Sequence, residues 1–251
     1  MNCNLILNIP HASTWIPETC RPKESMEYRI LKEDQLNMTD WYTDELFLTG
    51  IGVPVIAPVS RMVCDTERFR NDADEPMSRI GMGVCYTRTH DLTHTINWSD
   101  EHKEWVLDNL YDIHHRNLEL AVDRALYEHG KAIILDCHSF YPVPLPYEPD
   151  RTPDRPDICI GTDPFHTPEK LKEATEVFFR DLGYSVKVNS PYSGTIVPLK
   201  HLNTNNKVNS IMLEINRGLY LKENTNQKNE FFPVLKLHLK AFQHAVLMQF
   251  S

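Results

Sequence analysis

The chain has 251 residues, of which 41% are apolar and 24% charged, a composition that is typical of a globular protein and excludes collagen, a coiled coil and a disordered tail. Its net charge of −9 argues against nucleic acid as a partner, although a few local arginines can still bind a small anion. No apolar run is long enough for a membrane span, so we expect no membrane partner.

The amino terminus, MNCNLILNIP, has no basic segment and only a short apolar run, which is unlike a secretory signal. We therefore expect a cytoplasmic protein with reduced thiols. None of the six cysteines shows C-x-x-C spacing, which argues against a structural zinc ribbon. The sequence does not indicate the oligomeric state.

Short apolar runs predict six buried strands. In chain order they are residues 5–9, 53–59, 132–135, 158–160, 184–188 and 210–215. Apolar residues at steps of three and four predict a long amphipathic helix over 107–125, which Gly130 closes. A second helix is predicted to begin at Thr167-Pro168-Glu169, with Thr167 as its cap, and to run to about Leu182, and a third covers 232–250.

This alternation of strands and helices predicts an α/β fold: a mostly parallel central sheet with helices on both faces. We expect residues 1–251 to form a single domain. The proline-rich stretch 141–156 is predicted to be a long ordered loop because a strand follows it at once.

Polar clusters follow three of the predicted strands. They contain His11 after the first strand, His138 after the third and Glu214 at the end of the last. Ligands of open α/β sheets bind beyond the carboxyl ends of the strands, so these side chains are expected at one rim. Two imidazoles and a carboxylate with one open position suit a catalytic zinc ion. The alternative is that each histidine only caps its strand through a backbone contact.

Several ordered motifs resemble those of the N-formylglutamate amidohydrolases, over roughly residues 5–220. They are Ile9-Pro10-His11, Thr39-Asp40-Trp41 with Asp44 and Leu46, Ser60-Arg61-Met62-Val63 with Asp65 and Arg68, Asp136-Cys137-His138-Ser139, Pro191-Tyr192-Ser193-Gly194, and Glu214-Ile215-Asn216-Arg217-Gly218-Leu219-Tyr220. The chain departs from the family pattern at Ser193-Gly194 and at Asp65-Thr66-Glu67-Arg68, and matches it only loosely over 72–94.

The resemblance implies a zinc-dependent amidase with a phosphorylase/hydrolase-like fold, akin to zinc carboxypeptidases. Its reaction would hydrolyse N-formyl-L-glutamate, or a similar small acidic N-acyl amino acid, to formate and L-glutamate, as in histidine degradation. A non-catalytic binder of an acidic metabolite, or an amidase for another acyl-amino acid or a cell-wall peptide, is the alternative.

The resemblance also implies one divalent metal ion, Zn²⁺, held by His11, an acid and His138. Thr14 stands where a carboxypeptidase-type H-x-x-E motif would place its glutamate, so the acid must come from further along. We predict Asp40, whose alternative role is that of a helix N-terminal acid. The other candidates for the acidic ligand are Glu33, Asp44 and Asp65.

Glu214 ends an apolar strand, where a carboxylate is costly unless it is used or paired. We predict that it is the general base, and the alternative is a buried ion pair with Arg217. For substrate binding we predict three arginines and three pocket residues. They are Arg61, Arg68 and Arg217, which could clamp carboxylates or instead form structural pairs such as Arg68 with Asp65, together with Asn71, Ser193 and Gly194.

His90 and His94 have i, i+4 spacing, which would suit a metal site on a helix. The threonines around them argue against a helix, so this second site is a minor alternative.

Overall fold

The computed structural model describes residues 3–20 and 25–250, with side chains from residue 29 onward in the second range. Six strands form one sheet in the order β2-β1-β3-β6-β4-β5. The strands are β1 (Leu5–Ile9), β2 (Val53–Ile56), β3 (Ala132–Phe140), β4 (Ile158–Gly161), β5 (Val186–Val188) and β6 (Val208–Asn216). The α-helices are α1 (Ser25–Met38), α2 (Thr43–Phe47), α3 (Asp100–Val106), α4 (Asp112–His129), α5 (Glu169–Asp181) and α6 (Phe232–Phe250).

The predicted α/β class and all six strands are confirmed, but some boundaries were wrong. Strand β3 runs five residues further than its apolar run suggested, because its ladder with β6 continues through the pairs His138↔Glu214 and Phe140↔Asn216. Strand β6 begins two residues earlier and ends one residue later than predicted. The predicted long helix is α3 and α4 joined by a π-helical turn at Leu107–Tyr111, and Gly130 ends it in the left-handed conformation.

Strands β4 and β5 are the exceptions to the parallel sheet, since β4 lies antiparallel to β6 and β5 runs parallel to β4. Thr167 was also wrongly predicted to cap α5. Its hydroxyl instead accepts a hydrogen bond from the backbone of Asp163 and donates to the carbonyl of Ser210, and α5 begins after Pro168 without a side-chain cap.

Alternate residues of β1 pack on opposite faces of the sheet, as strand geometry requires. Leu5, Leu7 and Ile9 belong to a core that includes residues of α2, α5 and α6. Ile6 belongs to a second core with residues of α4, such as Leu118. We call the second side of the sheet the α4 face. Because Asn8, Asp136, His138 and Glu214 follow the same alternation, they also lie on the α4 face.

A third apolar cluster surrounds the connection between β2 and α3, which wraps the carboxyl ends of the central strands. It includes Met62, Val63 and Cys64 together with Tyr86 and Tyr111. This cluster holds the segment 60–68 against the ends of β1 and β3, where polar side chains collect. Among the described residues, no helix is both long and apolar enough to cross a bilayer.

Candidate active site

Two imidazoles and one carboxylate converge at the carboxyl ends of β1 and β3. Oδ2 of Asp40 lies 3.6 Å from Nδ1 of His11 and 3.3 Å from Nδ1 of His138. The backbone fixes this arrangement, because the amide of Asp40 donates to the carbonyl of His11 at 3.0 Å. All three side chains are buried, and their ligand atoms lie within 4.8 Å of one another. This is the set of residues that the sequence predicted as metal ligands.

A carboxylate holds the other nitrogen of each imidazole. Nε2 of His11 is 2.8 Å from Oδ1 of Asp65, and Nε2 of His138 is 2.9 Å from Oδ1 of Asp136. A carboxylate that accepts Nε2–H fixes the ring in the tautomer whose Nδ1 carries a lone pair. Both Nδ1 atoms are thereby available on the side of Asp40. Nδ1 of His11 has no hydrogen-bond partner although it is buried.

The charges around Asp40 keep it ionised. Burial alone would raise the pKa of this carboxyl, but the imidazoles of His11 and His138 and the guanidinium of Arg217 hold the pKa below its usual range. Asp65 behaves in the same way, since the guanidinium groups of Arg68 and Arg61 and the hydrogen bond with His11 outweigh burial and keep its pKa low. An anionic Asp40 is the form that can ligate a cation.

Glu214 lies beside these ligands with an unsatisfied oxygen. Its Cα pairs in register with that of His138 on the neighbouring parallel strand, so both side chains point from the α4 face. The residue is 8% exposed, and its Oε2 has no hydrogen-bond partner. Burial raises the pKa of Glu214 to about 8. A carboxyl group in this state can exchange a proton near neutral pH.

The alternative role of Glu214, a buried ion pair with Arg217, is not what the structure shows. Arg217 donates instead to Oδ1 of Asp40 at 3.1 Å, to the hydroxyl and carbonyl oxygens of Ser139, and to the carbonyl of Asn37. Among the residues that the structure describes, none forms an ion pair with Glu214 that would make it a purely structural group.

The other two predicted clamps, Arg61 and Arg68, are also engaged within the protein. Arg61 donates to Tyr86, to the carbonyl of Met38 and, at 3.0 Å, to Asp65. Arg68 donates to the carbonyl of Met82, and its Nη2 lies 3.5 Å from Asp65. The structural pairing of Arg68 with Asp65 is thus present, while binding of substrate by these arginines stays a prediction.

Both the sequence and the fold have counterparts among known proteins. A family model described as N-formylglutamate amidohydrolase matches residues 3–221. The chain belongs to the N-formylglutamate amidohydrolase family. It is 24% identical over 231 residues to an N-formylglutamate deformylase of Pseudomonas putida, an alignment that covers 87% of this chain and 82% of the relative.

Solved structures share the fold. An N-formylglutamate amidohydrolase from Ralstonia eutropha JMP134 superposes with a TM-score of 0.82 at 22% identity, covering 98% of this chain and 93% of that one. A gene product of Agrobacterium tumefaciens gives a TM-score of 0.68 at 17% identity, with 97% and 92% coverage. The α/β fold expected from the family resemblance is therefore shared with both solved structures.

Some residues predicted for the family site lie elsewhere. Asn71 is exposed, and its side chain accepts from the backbone of Ala73, so it is not part of this network. Gly194 adopts φ +89° and its carbonyl packs against Gly161 on the α4 face, while Ser193 is exposed. Pocket-lining by Ser193 and Gly194 stays a prediction.

The alternative acidic ligands and the second histidine pair are also separate from this cluster. Glu33 is exposed, and Asp44 accepts from the neighbouring backbone amide of Glu45. His90 pairs with Asp34 at 2.5 Å, whereas His94 contacts Thr93 in a turn rather than a helix. Only Asp65 of the alternatives reaches the site, where it contacts the far nitrogen of His11.

Sequence reasoning missed three polar groups behind His138. Asp136 belongs to the motif around His138 but was assigned no role, and Asn8 and Glu67 were not predicted to be site residues. Nδ2 of Asn8 donates to both carboxylates, at 2.8 Å to Asp136 and 2.7 Å to Glu67. A detectable signal existed for Asn8 and Asp136, because each interrupts an apolar strand and the second lies two residues before His138.

Glu67, Asp136 and His138 form a second group with metal-ligating atoms. The amide of Asn8 already bridges the two carboxylates, and burial together with the charge of Asp136 raises the pKa of Glu67 to about 8. Asn8, Glu67 and Asp136 therefore form a hydrogen-bonded support behind His138, which Asp136 contacts directly.

Proposed function

We propose that this chain is a metal-dependent amidohydrolase that cleaves the formamide bond of N-formyl-L-glutamate and releases formate and L-glutamate. The observation that carries the proposal is the unpartnered Glu214 carboxyl beside the converging Nδ1 atoms of His11 and His138 and the carboxylate of Asp40. The names of the family model and of the Pseudomonas putida relative support the substrate. A role in histidine degradation in the cytoplasm belongs to the same proposal.

The residues fit one divalent ion, which we propose to be Zn²⁺. Two neutral imidazoles and one carboxylate are a common ligand set of catalytic zinc, which keeps one further position open. The buried Nδ1 of His11 lacks any other partner, and a buried polar atom in that state is costly. An ion held by His11, Asp40 and His138 would polarise the amide carbonyl and acidify a water molecule.

Glu214 would move the proton in this reaction. Its position next to His138 in the sheet places a carboxyl group at the same rim, with Oε2 free to accept from a water molecule. The same oxygen would then donate to the amide nitrogen as glutamate leaves. Water adds its oxygen to the formyl carbon, the carbon–nitrogen bond breaks, and the transferred proton completes the amine.

The proposal is tested by assaying the wild-type protein for metal content and formate release. We expect about one zinc ion per chain, hydrolysis of N-formyl-L-glutamate in preference to N-acetyl-L-glutamate and N-formyl-L-methionine, loss of activity on chelation and recovery on adding Zn²⁺. Binding of glutamate without hydrolysis would favour the binder of an acidic metabolite. Preference for the acetyl compound would favour a different acyl-amino acid.

The carboxylates behind the imidazoles should tune metal affinity. We expect Asp65→Asn and Asp136→Asn each to weaken metal binding by about 10- to 100-fold, because the ligand histidines lose the acceptor that fixes their tautomer. Competition with a chromogenic chelator measures this affinity. Asp123→Asn is the matched control, since Asp123 holds His201 by the same contact at 2.8 Å outside this cluster. Unchanged affinity in both site variants would contradict the assignment of Nδ1 as the ligand atom.

A further inference from the structure

The loop that joins β3 to β4 carries a buried ion pair. The side chains of Glu148 and Arg155 are each 2% exposed. Nη2 of Arg155 donates to Glu148 and to the carbonyl of Asp150, but Nε and Nη1 have no hydrogen-bond partner among the described residues. A buried guanidinium with two unsatisfied nitrogens is costly, because a charged donor that has left water without a new acceptor loses its hydration. The ion pair alone does not account for this arrangement.

Contacts place Arg155 beside the candidate active site. Its guanidinium carbon lies 5.6 Å from the ring centroid of Tyr192, and that ring packs at 5.6 Å against the ring of Phe140. Phe140 lies two residues after His138 on β3, so its side chain lies on the same α4 face. The carbonyl of Tyr192 accepts from Sγ of Cys159, whose Cα pairs in register with Glu214.

Electrostatic interactions also place Arg155 near the candidate active site. Burial raises the pKa of Tyr192, the carboxyl of Glu214 adds to this increase, and the guanidinium of Arg155 opposes it. Tyr147, next to Glu148 in the loop, lies in the field of the three arginines that the sequence predicted as clamps. The loop 141–157 therefore forms one wall of the site, and Arg155 supplies the positive charge of that wall.

Two arginines around the metal-ligand cluster have more of their hydrogen-bond donors satisfied than Arg155 has. Arg217 uses all three nitrogens, and Arg61 donates from each of its three nitrogens as well. Arg155 combines a full charge, burial and two vacant donors, and both Arg155 and Glu214 interact electrostatically with Tyr192. A carboxylate oxygen is the acceptor that matches a guanidinium in both charge and geometry.

We propose that Arg155 binds a carboxylate of the amino-acid part of the substrate through Nε or Nη1. This assignment rests on the proposed function, which requires recognition of a dicarboxylate. Glu148 then serves to hold Arg155 in place rather than to occupy it. The residue would determine specificity for acidic acyl-amino acids, while the metal ligands and Glu214 act on the formamide.

The test compares L-glutamate binding by calorimetry with hydrolysis of N-formyl-L-glutamate in four variants. We expect Arg155→Gln to weaken binding and to raise KM by about 10- to 100-fold, the range of a charged hydrogen bond, with little change in kcat. Glu148→Gln keeps the cation and should bind at least as tightly as wild type. Arg151→Gln, an exposed arginine of the same loop, is the matched control and should behave as wild type.

The double variant Glu148→Gln/Arg155→Gln separates ligand binding from structural pairing. If Arg155 only neutralises Glu148, removing both charges restores binding, and this result would overturn the inference. We expect the double variant to remain as weak as Arg155→Gln while its melting temperature recovers. Unchanged binding in Arg155→Gln would also overturn the inference.

Analogues with one carboxylate neutralised identify the contact. N-formyl-L-glutamine lacks the side-chain carboxylate, and the α-amide of N-formyl-L-glutamate lacks the α-carboxylate. The increase in KM caused by Arg155→Gln should vanish for the compound that lacks the contacted carboxylate and persist for the other. An equal penalty on both would refute a direct contact. A wild-type protein that binds L-glutamate through Arg155 but releases no formate would refute the proposed hydrolysis alone. Absence of L-glutamate binding by wild type would overturn this inference.

Discussion

His138→Ala is expected to abolish both metal binding and formate release. His138 contributes Nδ1 to the cluster around Asp40, and its Nε2 is fixed by Asp136 at 2.9 Å. Removing the imidazole leaves only two protein ligands, which is fewer than a catalytic zinc site normally keeps. We expect metal content far below one ion per chain and activity below about 1% of wild type, because the metal chemistry is lost with the ion. Elemental analysis and the formate assay measure the two effects on the same sample.

A buried histidine outside the cluster provides the control for His138→Ala. His166 is fully buried and bonds to the backbone of Val208 and Asn203. His166→Ala should lower the melting temperature but retain one metal ion and most activity per folded chain. If His138→Ala kept stoichiometric metal and near-normal turnover, the site would be misassigned. His11→Ala should match His138→Ala, since His11 supplies the other Nδ1.

The fold was predictable from sequence wherever one periodicity dominated. The apolar runs of β1 and β4 and the pattern of α6 gave element bounds within one residue of the structure. The antiparallel direction of β4 was missed, although a signal was present. A parallel crossover usually contains a helix, and the stretch 141–156 is a proline-rich loop. Without a crossover, the chain enters β4 from the rim at which β3 ends.

The antiparallel direction of β4 also places the loop 141–157 over the candidate site, which was not predicted from the sequence. His11, His138 and Glu214 could be predicted because each stands at the end of an apolar strand, where a polar group needs a reason. The prediction of Asp40 depended on the family resemblance. The contact of Arg61 with Tyr86 depends on a distance between separate segments of the chain. The contact of Arg61 with Asp65 and the vacancies on Arg155 depend on how each loop folds, which its residue pattern does not specify.

Glu214→Gln is expected to retain the metal and lose most of the turnover. Glu214 lies on β6, between β3 and β4. Glutamine has nearly the same volume as glutamate but cannot accept the proton. General-base catalysis typically contributes 10²- to 10⁴-fold, so kcat should fall by about 100-fold or more. Metal content should stay at the wild-type level, since Glu214 lies outside the proposed ligand set. Steady-state kinetics and elemental analysis provide the measurements.

The pH profile and a matched substitution identify the cause of that loss. In the wild type, kcat/KM should fall as the pH drops below about 8 and Glu214 becomes protonated, and this limb should disappear in Glu214→Gln. Glu75→Gln replaces another buried carboxyl, which accepts from the amides of Phe69 and Met77, and should leave kcat within about twofold because Glu75 takes no part in the proposed proton transfer. A metal-free Glu214→Gln protein would make Glu214 a ligand in place of Asp40. A metal-replete and fully active one would assign the proton transfer to another group, and Asp65 would be the next to replace.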